Sequence, residues 1–236
     1  MTRLKFLVAA GAVSLLCGAA AQASVTLVSD GFELAGAPTA AGEVPNAVGG
    51  TWQAFQAAGS TIGTSAVANT GLRSLNLDNQ SLGAANFIKG QQIGAGVIKT
   101  GDSITISGFV RGNLGPSGDV QIVAFSEACA PPGGCGTTGT TNVFSLAAGL
   151  SNTVWTAFSK TFIINGLTLG GVTVQLSTVT GAVTGAFATA LFDDVKVIDN
   201  TAAPVPLPAA ALLFGPALGF LGVRRRKNAL RVSTQS

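Results

Sequence analysis

The sequence predicts an all-β protein: an antiparallel β-sandwich of jelly-roll type, with an N-terminal signal peptide and a C-terminal transmembrane helix. The body is rich in Gly, Thr, Ser, Val and Ala and contains no Tyr or His. Such a composition favours short strands and frequent turns, because β-branched residues fit a pleated surface and Gly permits tight turns. Its apolar residues also recur with a period of two, between segments containing Gly or Asn. Large apolar residues and low net charge disfavour a disordered chain.

The chain divides into four predicted segments. Residues 1–23 form the signal peptide, 24–200 the sandwich, 201–227 a sorting signal and 228–236 a cytoplasmic tail. The body of roughly 180 residues is long enough for one sandwich core and too short for two comfortable domains.

The N-terminal segment has the three parts of a secretory signal. Arg3 and Lys5 precede an apolar stretch over residues 6–21, and small residues occupy positions 21 and 23. We therefore expect export through the Sec translocon and cleavage between Ala23 and Ser24.

Three cysteines have different predicted fates. Cys17 suggests a lipoprotein, but Leu16 stands before it where a small residue is expected. Cys129 and Cys135 flank Ala-Pro-Pro-Gly-Gly, and a disulfide between them would close a short loop in an oxidising compartment. Metal binding by this pair is the alternative, although two thiols without any His do not complete a usual zinc site.

Period-two patterns predict about eight to ten strands. The clearest lies within Ser103–Arg111, where Ile104, Ile106 and Val110 share one face. Similar patterns occupy 120–125, 156–164 (with Phe158, Phe162 and Ile164 aligned) and 172–176, and weaker ones 25–28, 52–55, 75–77, 87–88, 142–146 and 187–197. Many short strands separated by turns are typical of an antiparallel sandwich.

The net charge of +3 conceals an acidic body. Six cations remain in the body against all ten acids, a net charge near −4. No basic cluster survives removal of the ends, so nucleic-acid binding is excluded. The cations in the end segments are Arg3, Lys5, Arg224, Arg225, Arg226, Lys227 and Arg231.

Two short motifs carry a family resemblance. Ser29-Asp30-Gly31-Phe32-Glu33 follows the first predicted strand, and Leu191-Phe192-Asp193-Asp194-Val195-Lys196-Val197 lies in the last. With the strand that begins at Trp155, they resemble the jelly rolls of carbohydrate-binding modules and galactose-binding-like domains. The resemblance implies glycan binding and a structural Ca²⁺ shared by Glu33 and Asp193, with backbone carbonyls supplying further oxygens.

Alternation places Asp193 on one face with Leu191, Val195 and Val197. A carboxylate buried among apolar residues needs a partner. Besides calcium, the alternatives are that Asp193 accepts backbone N–H bonds or pairs with a Lys, and that Glu33 lies in a solvated turn.

Glycan binding requires aromatic platforms, and the candidates are Trp52, Phe109 and Phe125. Phe109 and Phe125 lie on the polar sides of their strands. Trp52 and Trp155 are the only tryptophans, and core packing is the alternative for both.

Catalysis has little support in the sequence. A chain without His lacks the common triads, and no Gly-x-Ser-x-Gly motif occurs. Asp193 and Asp194 are the only adjacent acids, and neighbouring strand residues point to opposite faces, so we do not expect them to flank one bond. A glycan-active enzyme, or the binding module of one, is the alternative to a non-catalytic protein.

The C-terminal segment combines a proline motif, an apolar run and a basic cluster. The apolar run, residues 207–223, is 17 residues long, about 25 Å as a helix, and the cations after it favour a cytoplasmic end. A core helix fits badly between prolines and cations, whereas a plain tail anchor is a better alternative. The proline motif is Val205, Pro206, Leu207, Pro208 and Ala209, and the basic cluster is Arg224, Arg225, Arg226 and Lys227.

These three parts together resemble the PEP-CTERM sorting signal in its VPLPA variant. The resemblance implies an exosortase as processing partner, a membrane-embedded protease that cleaves near the proline motif. The helix would lie in the inner membrane until cleavage, and the body would end at the cell surface or outside the cell. We expect a non-catalytic surface or matrix protein, with polysaccharide as a candidate partner.

Overall fold

The computed structural model describes residues 24–33, 43–45, 51–128 and 137–201, and these residues form twelve strands and no helix. The predicted all-β class is confirmed. The strands are β1 (Val25–Asp30), β2 (Glu43–Pro45), β3 (Thr51–Phe55), β4 (Thr61–Ser65), β5 (Ser74–Asn79), β6 (Ala85–Ile93), β7 (Ser103–Leu114), β8 (Gly118–Glu127), β9 (Thr137–Ser145), β10 (Thr156–Ile163), β11 (Val172–Thr180) and β12 (Ala188–Asp199).

The strands form two antiparallel sheets of six. Sheet A has the order β10-β7-β12-β5-β4, and β1 pairs with β12 next to the stretch that β5 occupies. Sheet B has the order β2-β3-β6-β11-β8-β9. The chain crosses between the sheets after every strand except β2, β4 and β8. Repeated crossing of this kind is the connection pattern of a jelly roll.

The core lies between the two sheets and is lined by alternate residues of each strand. The predicted alternation is confirmed in the strands that carried it most clearly. The residues of β7 and β10 that were expected to point inward are all buried, and so is the residue directly after β10. They are Ile104, Ile106, Val110, Phe158, Phe162 and Ile164.

All ten predicted strands occur, and two strands were missed. β2 is only three residues long, and β4 contains a single large apolar residue, Ile62. Neither segment is long or apolar enough to show a period of two. The strand predicted around Phe87 is also longer than expected, because β6 continues through Gly90 to Ile93.

Gly90 continues the strand because the ring of Trp52 lies over it. A Cβ atom at Gly90 would lie 3.2 Å from Cζ3 of Trp52. The glycine, which weakens the strand pattern in the sequence, is therefore a packing requirement.

Both end segments and the two cysteines of the predicted disulfide lie outside the described residues. Three features therefore stay predictions: the signal peptide (1–23), the disulfide between Cys129 and Cys135, and the sorting signal with its helix at 207–223. Ser24, the first residue after the predicted cleavage site, is described and exposed. In the part of the chain that the structure describes, no helix is long and apolar enough to cross a bilayer.

Candidate functional site

The outer surface of sheet B presents a row of aromatic and amide side chains. Alternate residues of β6 and β8 are buried in the core, so the intervening ones lie on the opposite surface, and the pairing of β3 and β11 with these strands extends that surface. The antiparallel register places them side by side. We call this surface the sheet-B face, defined by Gln53, Phe55, Phe87, Lys89, Gln121, Val123, Phe125 and Gln175.

An aromatic pair occupies one side of the sheet-B face. The rings of Phe55 and Phe87 are stacked, with centroids 4.9 Å apart and planes 15° from parallel. Nζ of Lys89 lies 4.7 Å from the centroid of Phe55, a cation–π distance. Phe55 is 41% exposed, so the pair offers an apolar platform to solvent.

Amide side chains lie beside this platform. Gln53, Lys89, Gln175 and Val123 are directly opposite one another along one row across four strands. In the neighbouring row, Gln121 donates its Nε2–H to Asp119 Oδ2 at 2.7 Å. An amide offers both donors and acceptors, so the row can bond to a ligand rich in hydroxyl groups.

The three residues predicted to bind a ligand are separated by the fold. Phe125 lies on the sheet-B face, and Phe109 lies on the outer surface of sheet A. There Phe109 lines a cleft of about 460 Å³ together with Ser107, Asp194 and Lys196. The structure therefore does not bring the predicted aromatic residues into one site.

The ligand-binding prediction for Trp52 is wrong. Its side chain is fully buried and donates from Nε1 to Asp30 Oδ2 at 3.0 Å. Its ring is tilted against Phe32, with centroids 6.1 Å apart. Core packing, the alternative given above, is the observed role.

Phe55 and Phe87 were the functional candidates that sequence reasoning missed. Both lie in predicted strands, but an alternating pattern does not say which of its two faces contacts solvent. The available signal was that polar residues follow the same period, in Gln53-x-Phe55 and in Phe87-x-Lys89.

A β-bulge in β12 corrects the predicted orientation of Asp193. The register with β7 shifts between Asp193 and Lys196, and Asp194 adopts a φ of +51°. The shift reverses the alternation, so Val195 and Val197 are buried in the core while Leu191 is only half-buried. The prediction that Asp193 shares a face with both valines is therefore wrong.

Asp193 is nevertheless fully buried, because the loop between β4 and β5 covers it. Its Oδ2 accepts the N–H groups of Asn69 at 2.7 Å and Thr70 at 3.1 Å. Its Oδ1 accepts the N–H of Asp194 at 2.8 Å. The proposed alternative to calcium, acceptance of backbone N–H bonds, is thus present.

Asp194 binds the same loop. Thr70 Oγ1 donates to its carboxylate at 2.8 and 2.9 Å, and Asn69 Nδ2 donates at 3.1 Å. The bulge thus turns both neighbouring acids to one loop, which contradicts the expectation of opposite faces. Both carboxylates are engaged in holding that loop, an arrangement that does not leave them flanking a substrate bond.

Glu33 completes what we call the carboxylate cluster, with Asp193 and Asp194. Both oxygens of Glu33 accept the N–H of Leu72, at 2.9 and 3.1 Å, so it does more than lie in a solvated turn. The three acids meet around Gly31, where a Cβ atom would lie 3.7 Å from Glu33 Cγ and 3.8 Å from Oδ1 of each aspartate. The two acids named from the sequence are therefore brought together.

Burial raises the pKa of the Asp193 carboxyl above its ordinary value of 3.8. The N–H bonds from Thr70, Asn69 and Asp194 oppose this rise, and the nearby Asp194 carboxylate adds to it. The ionised form of Asp193 is thus less favourable in the folded protein than in water.

The donor chemistry of the cluster fits calcium, since carboxylate and carbonyl oxygens are its usual ligands. Among the described residues, however, no three His, Cys, Asp or Glu side chains are arranged to hold a metal ion. A calcium site with Glu33 and Asp193 would depend on backbone oxygens, and it stays a prediction.

Calcium binding would raise the melting temperature of the full chain. An ion at 100 times its Kd adds about 2.7 kcal/mol to the free energy of unfolding. We expect EDTA to lower the melting temperature and excess Ca²⁺ to restore it, as measured by circular dichroism. Glu33→Gln should remove this response and Asp119→Asn, outside the cluster, should keep it. An identical melting curve with EDTA and with Ca²⁺ would exclude a bound ion.

Comparison with known proteins gives the fold. No protein-family model matches the chain, and no curated protein matches it. The Stig cyclase Fisc from Fischerella sp. TAU is 14% identical over 77% of this chain and 100% of its own, with a TM-score of 0.51. The two chains share a fold. That likeness concerns architecture alone.

Two xylan-binding domains from Paenibacillus barcinonensis Xyn10C also have similar structures. Its CBM22-1 domain is 18% identical, covering 78% of this chain and 100% of that one, with a TM-score of 0.47. Its CBM22-2 domain is 17% identical, covering 75% and 99%, with a TM-score of 0.46. At these values we take no binding residue from either domain.

Proposed function

We propose that this chain is a non-catalytic surface or matrix protein that binds a glycan through the sheet-B face. The observation that carries the proposal is the stacked, solvent-accessible pair of Phe55 and Phe87 beside the amides of Gln53 and Gln175. A sugar ring has an apolar face that packs on an aromatic ring, and its hydroxyl groups both donate and accept hydrogen bonds. On the sheet-B face, the phenylalanine rings can pack against the apolar side of a sugar, and the amides can bond to its hydroxyl groups.

The charge of the face favours a neutral or weakly acidic glycan. Lys89 is the cation of the sheet-B face, while Asp119 is held by Gln121 at its border. The body as a whole is acidic, so a strongly anionic polymer would be repelled from its other surfaces.

Export and sorting complete the proposal. The signal peptide would direct the chain to the Sec translocon, and an exosortase would cut near residues 205–208. The body would then act at the cell surface or outside the cell, in association with exopolysaccharide or biofilm. The motivation for this part is the three-part C-terminal signal, and an uncut chain in cells that contain an exosortase would refute it.

The binding proposal is tested by replacing the aromatic platform. Phe55→Ala should weaken glycan binding about tenfold, because an aromatic contact is worth about 1.5 kcal/mol. The measurement is affinity electrophoresis of the full chain in gels containing xylan, β-glucan, galactan or exopolysaccharide from the source strain. Phe109→Ala, which alters the outer surface of sheet A, is the matched control and should retain full affinity. If Phe109→Ala loses binding and Phe55→Ala keeps it, the glycan site lies in the cleft of sheet A and not on the sheet-B face.

A further inference from the structure

Two loops are joined at one end of the sandwich. The loop after β6 and the loop after β10 are connected by Thr168 Oγ1, which donates to Ile98 O at 2.9 Å, and by Thr100 Oγ1, which donates to Gly166 O at 2.7 Å. The N–H of Ile164 also donates to Asp102 O at 2.9 Å. These bonds fix the two loops as one surface.

Four aliphatic side chains on this surface lie in solvent. We call them the aliphatic tip: Val97, Ile163, Leu167 and Leu169, which are 56%, 57%, 59% and 62% exposed. Lys99 and Asp102 are the charged residues of the two loops, and the Asp102 carboxylate accepts the N–H of Lys99 at 2.6 Å. Several exposed apolar side chains on one pair of joined loops make a candidate interaction surface.

The chain leaves the sandwich at the same end. The N–H of Ser103 donates to Thr201 Oγ1 at 2.6 Å, and the N–H of Asn200 donates to Ser103 O at 2.9 Å. Ser103 directly follows the loop after β6, so Thr201, the last described residue, lies beside the two joined loops.

The distance from Thr201 to the predicted transmembrane segment is short. Five residues, 202–206, separate it from Leu207. Thr201 and Leu207 are six residue steps apart, which is at most about 22 Å when the chain is fully extended. The headgroup layer on each side of the hydrocarbon core is itself about 5–8 Å thick. If residues 207–223 span the bilayer as the sequence predicts, this short linker tethers the end of the sandwich at Thr201 close to the lipid surface until the tail is cut.

We infer that the aliphatic tip docks into the lipid headgroup region before the tail is cleaved. The inference goes beyond glycan binding and rests on the predicted tail. A lipid surface fits this end because it is apolar and nearly uncharged, whereas the rest of the body is acidic and is repelled by anionic lipids. Docking restricts rotation of the body about its short tether and keeps residues 205–208 at the interface where a membrane-embedded protease acts.

A tryptophan placed on the aliphatic tip reports the docking. The full chain carrying Leu169→Trp is reconstituted in phosphatidylcholine and phosphatidylglycerol vesicles, with or without brominated acyl chains that quench tryptophan. Relative to the parent, whose signal comes from Trp52 and Trp155, we expect about twofold stronger quenching, because interfacial groups lie about 5–10 Å into the bilayer boundary.

The matched control is Leu82→Trp. Leu82 is 57% exposed and lies in the loop after β5, whose Gly83 N–H donates to Gly181 O beyond the far end of β11. Leu82→Trp should show no added quenching, and adding Leu167→Asp to Leu169→Trp should reduce the quenching.

Two outcomes overturn docking: equal quenching of the tryptophans introduced at positions 169 and 82, or no quenching at position 169 in chains that are anchored in the vesicles. If the tryptophan at position 169 is not quenched and the protein instead forms dimers as its concentration rises, the aliphatic tip binds a second copy of this chain and not lipid. Chains that do not float with the vesicles overturn the tail together with the docking, and glycan affinity is unaffected by any of these outcomes.

Discussion

Trp52→Ala should lower the free energy of unfolding by about 3–5 kcal/mol, the range for removing a fully buried large aromatic side chain. Single domains have total stabilities of about 5–15 kcal/mol, so this one substitution removes a large part of what keeps the chain folded. The expected loss exceeds that of any replacement on the sheet-B face, where the side chains are partly solvated.

The size of this effect follows from what Trp52 joins. It lies in β3 of sheet B, and its Nε1–H is donated to Asp30 in β1 of sheet A. Asp30 also accepts the N–H of Phe32 at 2.7 Å, in a turn where Phe32 has a φ of +54°. The ring of Trp52 in turn covers Gly90. Alanine would open a cavity between the sheets and remove a buried hydrogen bond at the same time.

Trp52→Phe separates these two contributions. Phenylalanine retains most of the apolar volume and loses the indole N–H, so its cost should be about 1–3 kcal/mol. Urea denaturation followed by the fluorescence of Trp155 measures both variants, since Trp155 is then the remaining tryptophan. A loss below about 1 kcal/mol for the alanine variant would contradict the packing described above.

The strands were predictable because their period-two pattern has one physical cause, burial of alternate residues against the opposite sheet. The bulge in β12 was not predictable in the same way. Asp193 to Lys196 is an uninterrupted strand sequence, and only the hydrogen-bond register with β7 shows that an extra residue is inserted. A single inserted residue then moves Val195 to the core and Asp193 away from it.

The candidate site was predictable only in part for a related reason. The family resemblance named Glu33 and Asp193, and the structure brings both to one loop, but it also adds Asp194, which strand alternation excluded. Phe55 and Phe87 lie in different strands that are far apart in sequence, and their stacking depends on how β3 and β6 pair. The local pattern shows that each phenylalanine shares a period with polar residues, but it does not show that the two rings stack.

Asp193→Ala should lower the free energy of unfolding by about 2–4 kcal/mol, because it leaves the N–H groups of Asn69, Thr70 and Asp194 without their acceptor. Asp193→Asn should cost less, since the amide oxygen still accepts from the loop. Urea denaturation measures both losses, and hydrogen exchange at Asn69 and Thr70 shows whether the loop between β4 and β5 is released. Slow exchange at both amides in the alanine variant would contradict the role of Asp193 in holding that loop.

The pH dependence of these variants separates the charge of Asp193 from its hydrogen bonds. Because the pKa of Asp193 is raised in the folded protein, the folded state binds more protons than the unfolded state between the ordinary value of 3.8 and the raised one. Stability from this group is therefore greatest below that window and falls as the pH rises through it. The amide of Asp193→Asn does not titrate. In the presence of EDTA, the free energy of unfolding of the parent should therefore fall relative to that of Asp193→Asn as the pH rises.

Calcium would reverse the sign of this dependence. An ion beside Asp193 favours the ionised carboxylate and lowers its pKa, so the parent would then gain stability relative to Asp193→Asn as the pH rises. One pair of pH scans, with EDTA and with Ca²⁺, therefore distinguishes a cluster that only accepts N–H bonds from one that also holds a cation. A parent that gains stability relative to Asp193→Asn with rising pH even in EDTA would contradict the raised pKa, and would mean that the N–H bonds to Asp193 outweigh its desolvation.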